Sequence, residues 1–118
     1  MDALAGRTVL VAEDEPLLQQ EVAHTLAAYG ARVVTADSLV GAFAASEQTL
    51  DHAVLDIHLS DGDVHPVAAR LSGLGVPMTF LTSEHRCEGL TRTYRAARVL
   101  QKPALPHLLL AAVRGGRA

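Results

Sequence analysis

Short apolar runs alternate along this chain with longer stretches in which apolar residues recur every three or four positions. The runs at Val9-Leu10-Val11-Ala12, Ala31 to Thr35, Ala53-Val54-Leu55 and Val76 to Leu81 are rich in Val and Leu. They are too short for helices and read as buried strands, and Val99-Leu100 adds a fifth. Regular alternation of such strands with helical stretches is the pattern of a parallel sheet covered by helices on both faces. The pattern predicts an α/β, doubly wound, five-stranded fold built from five βα units.

The first strand is expected over Thr8 to Ala12. Pro16 then stands where a helix starts, because the N–H it lacks has no intrahelical partner there. Leu18, Val22, Thr25, Leu26 and Tyr29 follow at helical spacing, and Gly30 is the stop. A second strand, Ala31 to Thr35, leads through the capping pair Asp37-Ser38 into an Ala-rich helix from Leu39 to Gln48. The third strand runs from His52 to Asp56. After the Asp61-Gly62 turn a helix is expected from Val64 to Ser72, ending at Gly73-Leu74-Gly75. Val76 to Leu81 is the fourth strand, with Pro77 at its start, where a missing donor is tolerated. Ser83 to Ala97 reads as a short helix among scattered polar residues. Arg98 to Gln101 is the last strand and Ala104 to Val113 the last helix.

Four of these strands hand over to polar groups where their apolar run stops. Glu13-Asp14 follow the first, Asp56 ends the third, Thr82 follows the fourth and Lys102-Pro103 the fifth. Ligands of open parallel sheets collect outside the carboxyl ends of the strands, so these groups are expected to share one pocket. Crowded carboxylates repel, and a hard divalent cation with oxygen ligands relieves the repulsion; beside phosphate that cation is Mg²⁺. Each residue alone has a plainer reading. Glu13-Asp14-Glu15 suits an acidic helix N-terminus, Asp56 a turn-capping carboxylate, Thr82 an N-cap and Lys102 a solvated lysine. Their common position at strand ends is what favours a site.

Composition narrows the function. A chain of 118 residues fills one domain and leaves no room for an output domain. Its net charge of −3 gives no footprint for nucleic acid. Cys87 is the sole cysteine and cannot close an intramolecular disulfide, and Met1 to Arg7 lacks a secretory pattern, so a cytoplasmic protein is expected. No apolar stretch approaches the roughly 20 residues that cross a bilayer. Cys87 beside Arg86 would be reactive if exposed, although an incidental thiol is the plainer reading. The six histidines, His24, His52, His58, His65, His85 and His107, lack the tight spacing of a zinc site.

With Glu13-Asp14, Asp56, Thr82 and Lys102-Pro103 in this order at strand ends, the chain resembles the receiver domain of bacterial two-component response regulators over nearly its whole length. The resemblance implies a flavodoxin-like fold with strand order 2-1-3-4-5. It implies that Asp56 accepts a phosphoryl group from a phosphohistidine on a sensor histidine kinase or a histidine phosphotransfer protein. Mg²⁺ would be held directly by Asp14 and Asp56, by Glu13 mostly through water, and by the backbone carbonyl of His58. Lys102 would contact the phosphoryl oxygens, Pro103 would fix the loop, often through a cis bond, and Thr82 would donate its hydroxyl to the modified Asp56. Phosphoryl transfer needs in-line positioning and neutralised oxygens, which a divalent ion and an ammonium supply.

The chain also departs from the receiver pattern. Val99 stands where most receivers carry an aromatic switch residue, and Ala104 where an aromatic is usual. Asp56 and Thr82 are 26 positions apart, and Thr82 and Lys102 are 20 apart, both shorter than is common in the group. Tyr94 or the Ser83 to Ala97 segment would then carry the readout. Phe80-Leu81-Thr82-Ser83 is similar to the Phe-Ala-Thr-Gly motif of an alphaproteobacterial single-domain group whose partners are HWE and HisKA2 kinases, with Leu81 and Ser83 departing from it. Two function classes stay open: a phosphorylatable switch, monomeric or weakly dimeric, and a phosphorylation-independent interaction module on the same fold. A metal-dependent phosphatase of small molecules would need a larger pocket than these loops build.

Overall fold

In the computed structural model, residues 2–83, 88–94 and 96–115 are described. They form β1 (Thr8–Ala12), α1 (Pro16–Ala28), β2 (Arg32–Ala36), α2 (Leu39–Ala45), β3 (His52–Asp56), β4 (His58–Leu59) and β5 (Gly62–Asp63). The chain continues through α3 (His65–Gly73), β6 (Met78–Thr82), α4 (Glu88–Thr93), β7 (Arg98–Gln101) and α5 (Pro106–Gly115). Strands β2-β1-β3-β6-β7 form one sheet in that order, all parallel, while β4 and β5 pair antiparallel as a separate small ribbon. With the ribbon set aside, this is the 2-1-3-4-5 order of a flavodoxin-like fold.

Alternation along each strand sorts the core into two layers. Leu10, Ala12, Ala53, Leu55 and Phe80 face Ala42 and Ala45 of α2, Val67, Ala68 and Leu71 of α3, and Leu90 of α4. Val9, Val11, Val54 and Leu81 face Leu18, Val22 and Leu26 of α1 and Leu109 and Val113 of α5. The central strands β3 and β6 are buried along their whole length, because helices cover both faces and strands flank both edges. Leu4, in the N-terminal segment, is fully buried against the second layer, and its amide donates to Tyr29 O at 2.9 Å.

Several boundaries differ from the sequence expectation for local reasons. Helix α2 stops at Ala45, not Gln48: the Glu47 and Gln48 amides donate to Ala44 O and Ala45 O, the i−3 bonds of a tightened last turn. Strand β2 lies one residue later than expected, since the Ala31 amide turns back to Leu26 O and closes the end of α1. Strand β6 begins at Met78 and includes Thr82. Pro77 contributes only its carbonyl, to the Ala53 amide, and Val76 still belongs to the end of α3 through Leu71 O. Helix α3 starts one residue later, at His65. The last helix starts at Pro106, where a first-turn proline fits, and not at Ala104. The β4–β5 ribbon around Ser60-Asp61 stands where a plain turn was expected. Of the Ser83 to Ala97 segment, Glu88–Thr93 is helical. Cys87, His85 and Arg86 lie outside the described residues. No helix among the described residues is long and apolar enough to cross a membrane.

Candidate functional site

The site forms where β1, β3, β6 and β7 end together. Glu13 and Asp14 follow β1, whose last residues pair with β3 through Ala12 and Leu55. Asp56 is the final residue of β3 and pairs with Leu81, so Thr82 lies one step beyond it on the neighbouring strand. Thr82 in turn pairs with Gln101, and its carbonyl accepts from the Lys102 amide at 2.7 Å, which brings the lysine to the rim. The Lys102–Pro103 peptide bond is cis.

Carboxylate oxygens of Glu13, Asp14 and Asp56 lie within 4.8 Å of one another. Glu13 is 0% and Asp56 3% exposed, while Asp14 is half-buried and open to solvent. Lys102 Nζ stands 3.1 Å from Asp56 Oδ2 and 3.1 Å from Glu13 Oε1. The ammonium aims its hydrogen bond at Asp56; its contact with Glu13 is an ion pair without hydrogen-bond alignment, and Oε1 of Glu13 has no directed donor. The other oxygen, Oε2, accepts from the Glu15 amide at 3.1 Å, and Asp56 Oδ1 accepts from the His58 amide at 3.1 Å.

These positions set the charge balance. Burial above all, then the neighbouring Asp56 carboxyl, pushes the Glu13 carboxyl up to about 7, against the opposing pull of the Glu15 amide and Lys102. At Lys102 burial disfavours the ammonium, yet the hydrogen bond to Asp56 and the negative charges of Asp56 and Glu13 outweigh it and hold the lysine above its ordinary value. Three carboxylates meet one ammonium, so the pocket has room for more positive charge. An all-oxygen donor set with one buried, undonated carboxylate oxygen fits a hard divalent cation such as Mg²⁺.

The structure thus brings together Glu13, Asp14, Asp56, Thr82 and Lys102 at one rim. The ribbon starts at His58, whose amide holds Asp56 and whose side chain is exposed. No histidine among the described residues joins the carboxylate cluster. His52 is instead buried in the sheet and bonded through Nε2 to Thr79 Oγ1 at 2.7 Å. Two contributors were not anticipated. Gln19 Nε2 donates to the carbonyls of Glu13 (2.9 Å) and Ala36 (3.2 Å), fixing the loop after β1. Asp61 was read only as a turn former, but its carboxylate reaches α2. Neither contact follows any sequence period; Asp61 finds its partner 22 residues away.

A groove of about 480 Å³ lies at the other end of the sheet, where Leu50 and Val76 precede β3 and β6; it is lined also by Ser46, Glu47, Arg70 and Leu74, and Glu13, Asp14 and Asp56 are not part of it.

Fold and site together define the class: this is the fold of a response-regulator receiver domain, and the chain's structural neighbours are such domains, single-domain ones among them. SdrG from Sphingomonas melonis Fr1 aligns with a TM-score of 0.75 at 29% identity, covering 98% of each chain. PhyR from Brucella abortus, a response regulator, aligns with a TM-score of 0.79 at 25% identity over 96% of this chain and 48% of its own, so the chain spans about half of PhyR. A response regulator receiver protein from Sinorhizobium medicae WSM419 shares the fold with a TM-score of 0.82 at 22% identity, over 96% of this chain and 94% of that one. No protein-family model matches the chain, and no curated protein sequence matches it.

Proposed function

We propose that the protein is a phosphoryl-accepting signalling switch of a two-component system or phosphorelay, with Asp56 as the acceptor. One observation carries this reading: Asp56, nearly inaccessible at the end of a central strand, shares Lys102 with Glu13 at 3.1 Å on each side. An oxygen of Asp56 attacks the phosphorus of a phosphohistidine on a histidine kinase or phosphotransfer protein. The P–O bond forms as the P–N bond breaks, and the imidazole leaves with the electron pair and takes up a proton. Lys102 lies where its ammonium follows the charge onto the phosphoryl oxygens, and the Thr82 hydroxyl donates to one of them in the modified state. Asp14, Asp56, Glu13 and the His58 carbonyl would hold Mg²⁺, which when bound would neutralise charge on the transferring group.

SdrG, covered over 98% of its length, supports a stand-alone regulator, whereas PhyR supports the same unit as part of a longer chain. The likeness of Phe80-Leu81-Thr82-Ser83 to the Phe-Ala-Thr-Gly motif favours a partner kinase of the HWE or HisKA2 type acting in the cytoplasm. A phosphorylation-independent module is the second reading, favoured by Val99 and Ala104 in place of aromatics. Intact mass after acetyl phosphate with Mg²⁺ decides between them: a phosphoryl adduct on the wild type that Asp56→Asn abolishes is expected. Absence of any adduct, together with no amide shifts on adding beryllofluoride, would establish the second reading.

A further inference from the structure

Asp61 sits at the exposed tip of the β4–β5 ribbon, yet it takes the first two amides of α2. Its Oδ1 accepts from Leu39 N at 2.8 Å and its Oδ2 from Val40 N at 3.3 Å. The third amide, Gly41 N, goes to Ser38 Oγ at 3.0 Å. The helix start is therefore capped half by its own N-cap residue and half by the loop that leaves Asp56. The ribbon lies close along α2: a Cβ on Gly62, whose φ is +142°, would stand 3.0 Å from Leu39 Cδ1. The other end of the ribbon is tied down too, since Asp63 Oδ1 accepts from the His65 amide at 2.8 Å at the start of α3.

These bonds close a circuit around the carboxylate pocket. From Asp56 it passes to the His58 amide (3.1 Å), along the ribbon to Asp61, and across to Leu39. From Leu39 the chain runs back to Ala36, whose carbonyl accepts from the Glu13 amide at 2.9 Å and is further held by Gln19. Asp56 and Glu13 are thus linked outside the pocket through a single side-chain clamp. We propose that Asp61 is a positioning residue for the cation and phosphoryl site, holding the ribbon on α2 so that the His58 amide fixes Asp56 relative to Glu13. This rests on the reading of the pocket as a Mg²⁺-dependent acceptor site. The Leu39 amide, chief among its causes, holds the Asp61 carboxyl below its ordinary value.

A simple helix cap is the competing explanation, and Ser38 separates the two, because it caps the same helix from that helix's own N-cap position. Mg²⁺ titrations followed by amide shifts, and hydrogen exchange of the His58 amide in metal-free protein, compare wild type with Asp61→Ala, Asp61→Asn and Ser38→Ala. Asp61→Ala is expected to weaken Mg²⁺ binding about tenfold, the scale of an outer-shell partner, and to speed His58 exchange. Asp61→Asn, which keeps one acceptor oxygen, falls between and carries the comparison if the alanine variant fails to fold. Ser38→Ala lowers the melting midpoint but leaves both readouts at wild-type values. Asp61 variants that behave as Ser38→Ala does, with wild type binding Mg²⁺, would overturn the positioning role alone. Wild type that binds no Mg²⁺ would overturn the reading of the pocket and the clamp with it.

Discussion

The two ends of β3 bury polar side chains in opposite ways. His52, at the start, is 1% exposed and Asp56, at the end, is 3% exposed. At His52, burial first and then the charges of Arg7 and Arg98 push the imidazole down to about 4, so it is neutral and bonds the Thr79 hydroxyl. That pair lies inside the sheet, away from the carboxylate cluster, with His52 Nδ1 buried and without a hydrogen-bond partner among the described residues. At Asp56 the partner is an ammonium, and two further carboxylates press against it. Burial is common to both; what marks one end as the candidate site is an unbalanced charge cluster at a rim where four strands stop.

Removing the cation tests this contrast most severely. Lys102→Ala leaves Glu13 and Asp56 facing each other without a counter-charge and takes away the donor for developing phosphoryl charge. Phosphoryl gain from acetyl phosphate is expected to fall by about 10²-fold, the scale of losing one preorganised donor. Intact mass against time reads it, and a rate within a few-fold of wild type would show that Lys102 takes no part.

At the other end the expected effect is one of pH. An unfolded histidine titrates near 6.5 and His52 near 4. Below 6.5 the unfolded chain binds the extra proton, so stability present above that pH is lost progressively as pH falls to 4, by up to about 3 kcal/mol. Urea denaturation at pH 7.5, 6 and 5 measures it, and His52→Leu is expected to flatten the slope. An unchanged slope in that variant would assign the acid sensitivity elsewhere.

Glu13 works in the opposite direction over nearly the same window. Unfolded it ionises near 4.5 and folded near 7, so the native state keeps a proton that the unfolded chain has released. Metal-free stability is therefore lost as pH rises from 4.5 to 7, by about 2–3 kcal/mol, partly masking the His52 slope. In the presence of a chelator, Glu13→Gln is expected to be more stable than wild type at pH 8 by a similar amount and to bind Mg²⁺ poorly. Equal stability of the two proteins at pH 8 would mean that the carboxylate is not strained by its burial.

Much of this contrast was legible in the chain, because both the fold and the site follow from where apolar runs stop. Val9 to Ala12 and Ala53 to Leu55 alternate between the two core layers, and each hands over to carboxylates at its end. The sheet then does the rest, since parallel strands align their carboxyl ends. Local chemistry could not reveal contacts between segments far apart in sequence. Asp61-Gly62 reads as a turn whether or not its carboxylate reaches Leu39, and His52 differs from His58 only through strands that pair later. Leu4 was missed because a lone leucine in a short leading segment carries no period, although its side chain completes the α1 and α5 layer.

The smallest expected effect concerns how a change at Asp56 reaches the rest of the molecule. Phe80 lies two residues before Thr82 on β6, pairs with Val99 on β7, and meets the half-buried Tyr94 ring at 6.1 Å between centroids, tilted by 47°. Tyr94 thus packs with Phe80, on the strand that carries Thr82, and with Val99 in the core layer that α2, α3 and α4 cover. Its amide donates to Leu90 O and its carbonyl accepts from the Ala97 amide, which ties the end of α4 to the approach of β7. Tyr94→Leu keeps most of the apolar contact but removes the aromatic pair, at an expected cost of about 1 kcal/mol in urea denaturation. If this pair relays the state of Thr82, beryllofluoride with Mg²⁺ still shifts the Thr82 and Lys102 amides in the variant, while shifts at Leu90 and Ala97 shrink. Wild-type shifts at Leu90 and Ala97 would route the response past Tyr94, leaving β7 itself as the path.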